Sequence, residues 1–224
     1  MMLLNVVKNI LRRKEPQPLP AEFGTDSVPR VLNVGGGSKT IPISPWYQGW
    51  SHLLLDIDPL TGADVVLDAR QLTTLPGALF DAIYCSHNLE HYYQHDVGKV
   101  LAGFLHVLKP DGFAEIHVPD MQLVMQHFVE NGDDIHGTLY ESAGGPISVH
   151  DVMYGWGKQI AASGVDFYAH KTGFTPRSLR EVLLAAGFAE VWINASTSGF
   201  AIGALAFKQS PTAAQRALLN LPLE

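Results

Sequence analysis

From Arg30 onward, short apolar runs alternate with polar stretches that carry glycine and proline. Val31 to Val34, His52 to Asp56, Val65 to Leu67, Phe80 to Cys85 and Gly112 to Val118 are too short for helices and rich in β-formers, so they predict strands. Between the last two, Val97, Val100, Leu101, Phe104, Leu105 and Leu108 recur at helical spacing, and Pro110 with Gly112 ends the run. Strands interleaved with a helix of this kind predict an α/β fold with a parallel sheet.

The rhythm breaks over residues 120 to 172, where "MQLVMQHFVE" is followed by turn-rich pieces such as "NGDDIHG" and "SAGGPIS". A segment this long is expected to act as a lid over a site. Order returns at "TGFTPRSLREVLLAAGF": Thr175 and Pro176 start a helix, Ser178 with Glu181 suggests a capping box, and Gly187 stops it. "AEVWINA" and "GFAIGALAFK" then predict a hairpin, and Pro211 to Leu219 a last helix. At the other end, an apolar N-terminal segment is cut off by "EPQPLP". Residues 1 to 29 are therefore expected to be a helix and a proline-rich linker, with the domain running from 30 to 224.

Composition changes this picture little. The 224 residues are 46% hydrophobic and 17% charged, enough for a core of their own. A net charge of −7 argues against nucleic acid as a partner. The lone Cys85 fits a reducing compartment, so a cytoplasmic protein is expected, and no apolar run is long enough for a membrane span. Charge follows rather than precedes the first apolar segment, which argues against a signal peptide.

The chemistry starts at "VLNVGGGSKT". A strand leading into glycines lets backbone approach a ligand, and the N–H groups beyond can hold an anion. The dinucleotide fingerprint fails, because Thr40 stands where its third glycine should fall, and the Walker lysine and hydroxyl are missing. The next apolar run ends in "LLLDIDP", where Asp56 is suited to accept from ribose hydroxyls, with Asp58 as the alternative. The third delivers Asp68 in "VVLDARQL", along the same edge.

In this order the motifs resemble those of the class I S-adenosylmethionine-dependent methyltransferases, over roughly Arg30 to Lys208. "VLNVGGGSK" is similar to the family's glycine motif, with Asn33 in place of the usual acid and Lys39 in place of a third glycine. "LLLDIDP" and "VVLDARQL" resemble the ribose and adenine acid motifs, and "FDAIYCSHNLEHYY" the fourth strand with an HxLEH segment. "HVLKPDGFAEIHVPD" and "HKTGFTPRSLREVLLAAGF" resemble the fifth strand with its preceding turn and the late helix. The resemblance implies a Rossmann-like, doubly wound, seven-stranded sheet of order 3-2-1-4-5-7-6, the last strand antiparallel, with helices on both faces. It implies S-adenosyl-L-methionine as cofactor, held by Asn33, Gly35, Gly36, Gly37, Lys39, Asp56, Ile57, Asp68, Ala69, Ser86 and His87. Only fifteen residues separate Gly37 from Leu53, and Pro42 and Pro45 lie among them, so the helix usual after the first strand must be stunted. Lys39 or Ser38 is expected to compensate at the methionine carboxylate.

Methyl transfer needs positioning more than side-chain chemistry, with a base helping at an amine or hydroxyl. His87, at the end of the fourth strand, is expected to line the site, and His150 beside Asp151 to act as base and orienter. Asp120, Tyr154, Trp156, His170 and Lys171 share the lid region or its edge. His87, His91 and His95 are spaced by four, but a turn is expected to separate them, so no metal site is expected from that spacing. The acceptor is expected to be a small molecule or saccharide. The alternatives are a binding module without catalysis and a nicotinamide-dependent oxidoreductase.

Overall fold

The computed structural model describes residues 28–142, 144–195 and 199–222, so the expected N-terminal helix and nearly all of the linker lie outside the described residues. The strands are β1 (Arg30–Val34), β2 (Ser51–Asp56), β3 (Val65–Val66), β4 (Phe80–Ser86), β5 (Leu108–Pro119), β6 (Thr138–Ser142), β7 (Gly145–Ser148), β8 (Glu190–Ala195) and β9 (Ala201–Phe207). Seven of them form one sheet, β3-β2-β1-β4-β5-β9-β8, while β6 and β7 pair separately. With that small hairpin set aside, the order is the expected 3-2-1-4-5-7-6. The first five strands run parallel, and β9 is antiparallel to both β5 and β8.

Every residue of β1 is buried, as a central strand covered on both faces requires. It lies between β2 and β4, where the chain reverses its direction of winding, and a crevice opens at the carboxyl ends of such strands. Helix α1 (Gln94–Val107) covers one face with Val97, Val100, Leu101, Phe104 and Val107. It gives way to β5 at Leu108, earlier than expected, because Pro110 bars helical backbone to the residue before it. The helices of the lid region are α2 (Met121–Asn131), α3 (Val149–Tyr154) and α4 (Gly157–Ser163). Helix α5 (Pro176–Ala186) adds Leu179 and Leu183 to the first face. Its capping box joins Thr175 and Ser178 instead of Ser178 and Glu181; Glu181 pairs with Arg177 at 2.8 Å.

Among the described residues, the second face carries the final helix and, beside it, a largely non-helical cover. The short segment after β1 forms only a 3-10 turn, Pro45–Tyr47, and lays aromatic rings on the sheet. Tyr47 stacks on Phe113 at 6.3 Å and meets Trp50 edge-on at 5.2 Å, in a cluster with Val31, Ala82, Phe207 and Leu219. Leu219 caps the final helix, α6 (Ala213–Leu218). Glu115 is buried beneath this cover, and Trp46 Nε1 and His117 Nε2 reach its carboxylate at 3.0 and 2.8 Å, with the Ser44 hydroxyl also donating to it. No described helix is long and apolar enough to cross a membrane.

Candidate active site

Beyond β1 the chain turns through Gly35 (φ +71°) and Gly37 (φ +66°), a backbone that favours glycine. A Cβ on Gly35 would fall 2.0 Å from Asn88 Nδ2, and one on Gly36 2.3 Å from Asn33 Nδ2. The bare turn therefore packs directly against two amide side chains. Asp56, at the end of β2 and 7% exposed, accepts from the N–H of Gly37 at 3.0 Å and of Asp58 at 2.9 Å. Burial raises its pKa, and the N–H groups that it accepts from oppose the rise.

These groups border a cleft of about 470 Å³ at the carboxyl ends of β1, β2 and β4. Of the residues expected at a cofactor, Asn33, Gly35, Gly36, Gly37, Asp56, Ile57, Ser86 and His87 line it. Asn33 Oδ1 and Asn88 Oδ1 are buried without hydrogen-bond partners, two acceptors left for a ligand rich in donors. An adenosylated amino acid, with ribose hydroxyls and an ammonium group, fits that donor demand.

Lys39, Asp68 and Ala69 are not among the lining residues. Lys39 Nζ is bound to Asp64 at 2.6 and 2.8 Å, and Ser38 bonds with Thr40. Asp68 caps a 3-10 turn that begins at the buried Ala69, and its carboxylate holds the Arg70 guanidinium through Nε at 3.0 Å and Nη2 at 2.6 Å. Phe167 and Tyr168 line the cleft from the far end of the long insertion, the Tyr168 hydroxyl 3.5 Å from Asp58 Oδ2. The sequence carries no periodic signal for that approach, since 110 positions separate the two partners.

A smaller pocket of about 140 Å³ is lined by Tyr140, Ile147, Asp151, Val152, Trp156 and His170, together with Pro119 and His87. His87 thus borders both cavities. It adopts φ +49°, unusual for a residue with a side chain, while its N–H donates to the His117 carbonyl at 2.8 Å. Its Nδ1 lies 3.4 Å from Glu90 Oε1; burial lowers the imidazole pKa, but the carboxylate outweighs it and the net shift is upward. His150 and Asp151 are neighbours without a hydrogen bond between them. The Asp151 carboxylate accepts from the Ser148 hydroxyl at 2.6 Å and N–H at 3.0 Å, in a capping box, and the His150 ring lies against His136 and Tyr154. Cys85 is fully buried and its thiol is pushed well above the usual range by that burial, which disables it as a nucleophile.

His87, His91 and His95 do not share a helix: they fall after β4, in a 3-10 turn, and in α1. His91 instead meets His170, their rings 4.8 Å apart and nearly perpendicular, beside the buried Glu90. Glu90 is the neighbour that spacing alone did not single out, because its partner His170 comes from the other end of the insertion.

A parallel sheet with a reversed hairpin at one edge, and a glycine-walled cleft at its switch point, defines a Rossmann-like nucleotide-type binding fold. Residues 9–192 match the sequence profile of the methyltransferase domain family, and the chain belongs to it, as a class I S-adenosylmethionine-dependent methyltransferase. No curated protein matches the sequence. Among solved structures, a Pyrococcus horikoshii protein is 12% identical, with a TM-score of 0.53 over 92% of this chain and 88% of its own. A SAM-dependent methyltransferase from Archaeoglobus fulgidus is 16% identical, with a TM-score of 0.52 over 81% and 87%. One from Methanosarcina mazei is 15% identical, with a TM-score of 0.51 over 83% and 94%. At these identities the likeness is one of fold.

Proposed function

We propose that this protein transfers the methyl group of S-adenosylmethionine to a small-molecule or saccharide-type acceptor. One observation carries the reading: the glycine turn, two unpartnered amide oxygens and a buried carboxylate border a single cleft, which shares His87 with a second, smaller pocket. Asp56 would accept from the ribose hydroxyls, Asn33 and the Gly35–Gly37 backbone would take the amino-acid end, and Ile57 with Tyr168 would flank the base. Asp68 is committed to Arg70, so an adenine-side role for it would require releasing that guanidinium. Lys39 would have to leave Asp64 in the same way.

The bound sulfonium supplies an activated methyl and a neutral thioether leaving group. What remains for the chain is to hold an acceptor in the smaller pocket, in line with that methyl, and to exclude water. His87 borders both cavities and is the group placed to take the acceptor's proton; the Glu90 carboxylate raises its pKa and so makes it a stronger base. Asp151 fixes the start of α3 through Ser148 and so shapes the pocket wall. The segment 120–172 acts as the lid, its Phe167 and Tyr168 closing over the donor cleft.

Calorimetry with S-adenosylhomocysteine and with NAD tests the donor assignment. Binding of the first and not the second is expected; the reverse result would point to an oxidoreductase and end this reading. Methyl transfer from labelled S-adenosylmethionine to a panel of hydroxylated small molecules and sugars then tests the acceptor class. Cofactor binding without transfer to any of them would favour a binding module.

A further inference from the structure

Glu90 is 1% exposed, and neither of its carboxylate oxygens has a hydrogen-bond partner. A carboxyl left so in the interior is unfavourable unless something else compensates it. His87 Nδ1 lies 3.4 Å away without completing a hydrogen bond, and half of its side chain is open to solvent. Two imidazoles stand closer to the interior. His170 Nε2 is 4.0 Å from Glu90 Oε1, and Glu90, His91 and His170 each offer one ligand atom, all within 4.8 Å of one another.

The two rings are held from behind. His91 Nδ1 bonds to the Ala169 carbonyl at 3.1 Å, and His170 Nδ1 to the Val152 carbonyl at 2.7 Å. A carbonyl only accepts, so each Nδ1 carries the proton and the free lone pair sits on Nε2. Metal-ligating histidines are oriented in this manner. The backbone holds the set together as well: the N–H groups of Lys171 and Thr172 donate to the Glu90 carbonyl at 2.8 and 3.2 Å. Residues some eighty positions apart are thereby fixed side by side before any ion arrives.

We propose that Glu90, His91 and His170 form a binding site for one divalent first-row transition ion of the zinc type. Two imidazoles and one carboxylate suit such an ion better than magnesium or calcium, and three protein ligands leave a coordination position open. Bonds of about 2.0–2.2 Å place neighbouring ligand atoms roughly 3.3 Å apart, so a spacing of up to 4.8 Å has to contract by at most about 1.5 Å. His91 lines the larger cleft and His170 the smaller one, which puts the open position between donor and acceptor. The acceptor class that follows, and this part alone rests on the methyl-transfer reading, is a molecule that ligates through a hydroxyl oxygen. Coordination lowers the pKa of that hydroxyl, its proton passes to His87 or to solvent, the O–CH3 bond forms as the S–CH3 bond breaks, and the sulfonium leaves as a thioether.

The test uses the full chain, free of any affinity tag and stripped with chelator, titrated with Zn²⁺ by calorimetry and with Co²⁺ by visible absorption. One equivalent of each should bind, with a Co²⁺ spectrum of low-symmetry, four- or five-coordinate type. His170→Ala and Glu90→Gln should each weaken Zn²⁺ binding by at least about 100-fold, more than loss of an outer partner usually costs. His95→Ala, on the exposed start of α1, should leave it unchanged. S-adenosylhomocysteine binding checks that each variant is folded; if Glu90→Gln does not fold, His170→Ala decides. Absence of stoichiometric Zn²⁺ and Co²⁺ binding, or binding that survives His170→Ala, overturns the site. Cofactor binding with no metal ends this proposal and spares the methyltransferase reading, whereas metal binding with no cofactor does the opposite.

Discussion

The two cavities that meet at His87 are built by different means. The larger, proposed as the donor side, takes its walls mainly from the ends of β1, β2 and β4, where parallel pairing fixes each residue against its neighbour; Asn33 is 2% and Asp56 7% exposed. The smaller, proposed as the acceptor side, takes most of its walls from a two-stranded hairpin, helix α3, Trp156 at the cap of α4, and His170, with Pro119 at the end of β5. Its own apolar cluster has Val124, Val149 and Val152 as its buried members, and α4 buries none of its residues. A side chain on the sheet cannot move without disturbing the core, whereas the hairpin and helices can change or open at little expense to it. The difference suits the proposed roles, a shared donor on one side and a particular acceptor on the other.

The sharpest way to break this contrast is at the glycine turn. Gly35→Ala puts a side chain at φ +71° and a Cβ 2.0 Å from Asn88 Nδ2. The left-handed backbone alone costs about 1–2 kcal/mol, and displacement of the amide adds to it, so affinity for S-adenosylhomocysteine should fall roughly 10- to 100-fold. Trp156→Ala, on the acceptor side and 46% exposed, should leave that affinity unchanged. Equal losses in the two variants, measured by calorimetry, would mean that the cavities are not separable.

Asp56→Ala comes next. It removes the acceptor for the Gly37 and Asp58 N–H groups and for a ribose. Hydrogen bonds to a charged group contribute about 1.5–3 kcal/mol, so at least about a 10-fold loss of affinity is expected. Asp56→Asn, which keeps an acceptor oxygen, should recover part of it. An unaltered dissociation constant in Asp56→Ala would move the ribose elsewhere.

How much of this was legible in the sequence follows the same division. β1, β2, β4 and β5 show as apolar runs because burial on both faces demands it, and Gly35 and Asp56 fall at their ends by chain order alone. The sheet order followed from the motif resemblance and the terminal hairpin. The aromatic cover was announced only negatively: Pro42 and Pro45 forbid a long helix, but no local rule says that Tyr47 and Trp50 will lie on Phe113. Asp68 and Lys39 were read as free handles because a sequence does not show that Arg70 and Asp64 already occupy them. The grouping of Glu90 with His170, and of Tyr168 with Asp58, was invisible for a plainer reason. Each is a contact across the insertion, made by tertiary packing of segments whose polar pattern has no period to read.

The acceptor wall also has a pH limit that the donor wall lacks. Partial burial raises the Asp151 pKa, but the Ser148 hydroxyl and N–H outweigh it and hold the carboxyl below its usual range. A depressed carboxyl stabilises the fold above its unfolded pKa, about 3.9, and the contribution is lost as pH falls through the lower folded value. Below about pH 4 the start of α3 should therefore loosen before the sheet does. Pepsin should cut near residues 148–154 while the core resists. Ser148→Ala, which removes the cap and costs about 1 kcal/mol, should bring that cleavage to higher pH. Simultaneous digestion of both regions would show that the insertion is not a separate unit of stability.

The smallest expected effect belongs to Lys39→Ala, and it bears on whether the donor side is preformed. The Lys39 side chain is 43% exposed and its ammonium is paired with Asp64, a surface ion pair of the kind worth about 0–1 kcal/mol. Asp64 is independently held by the Leu54 N–H at 2.8 Å, so losing Lys39 should not shift β2. Affinity for S-adenosylhomocysteine should then change by less than about 2-fold, a fraction of a kcal/mol. A loss of about 10-fold or more would require Lys39 to release Asp64 and reach the ligand's carboxylate. The donor side would then owe part of its shape to its ligand, and the contrast with the acceptor side would narrow to the strand ends alone.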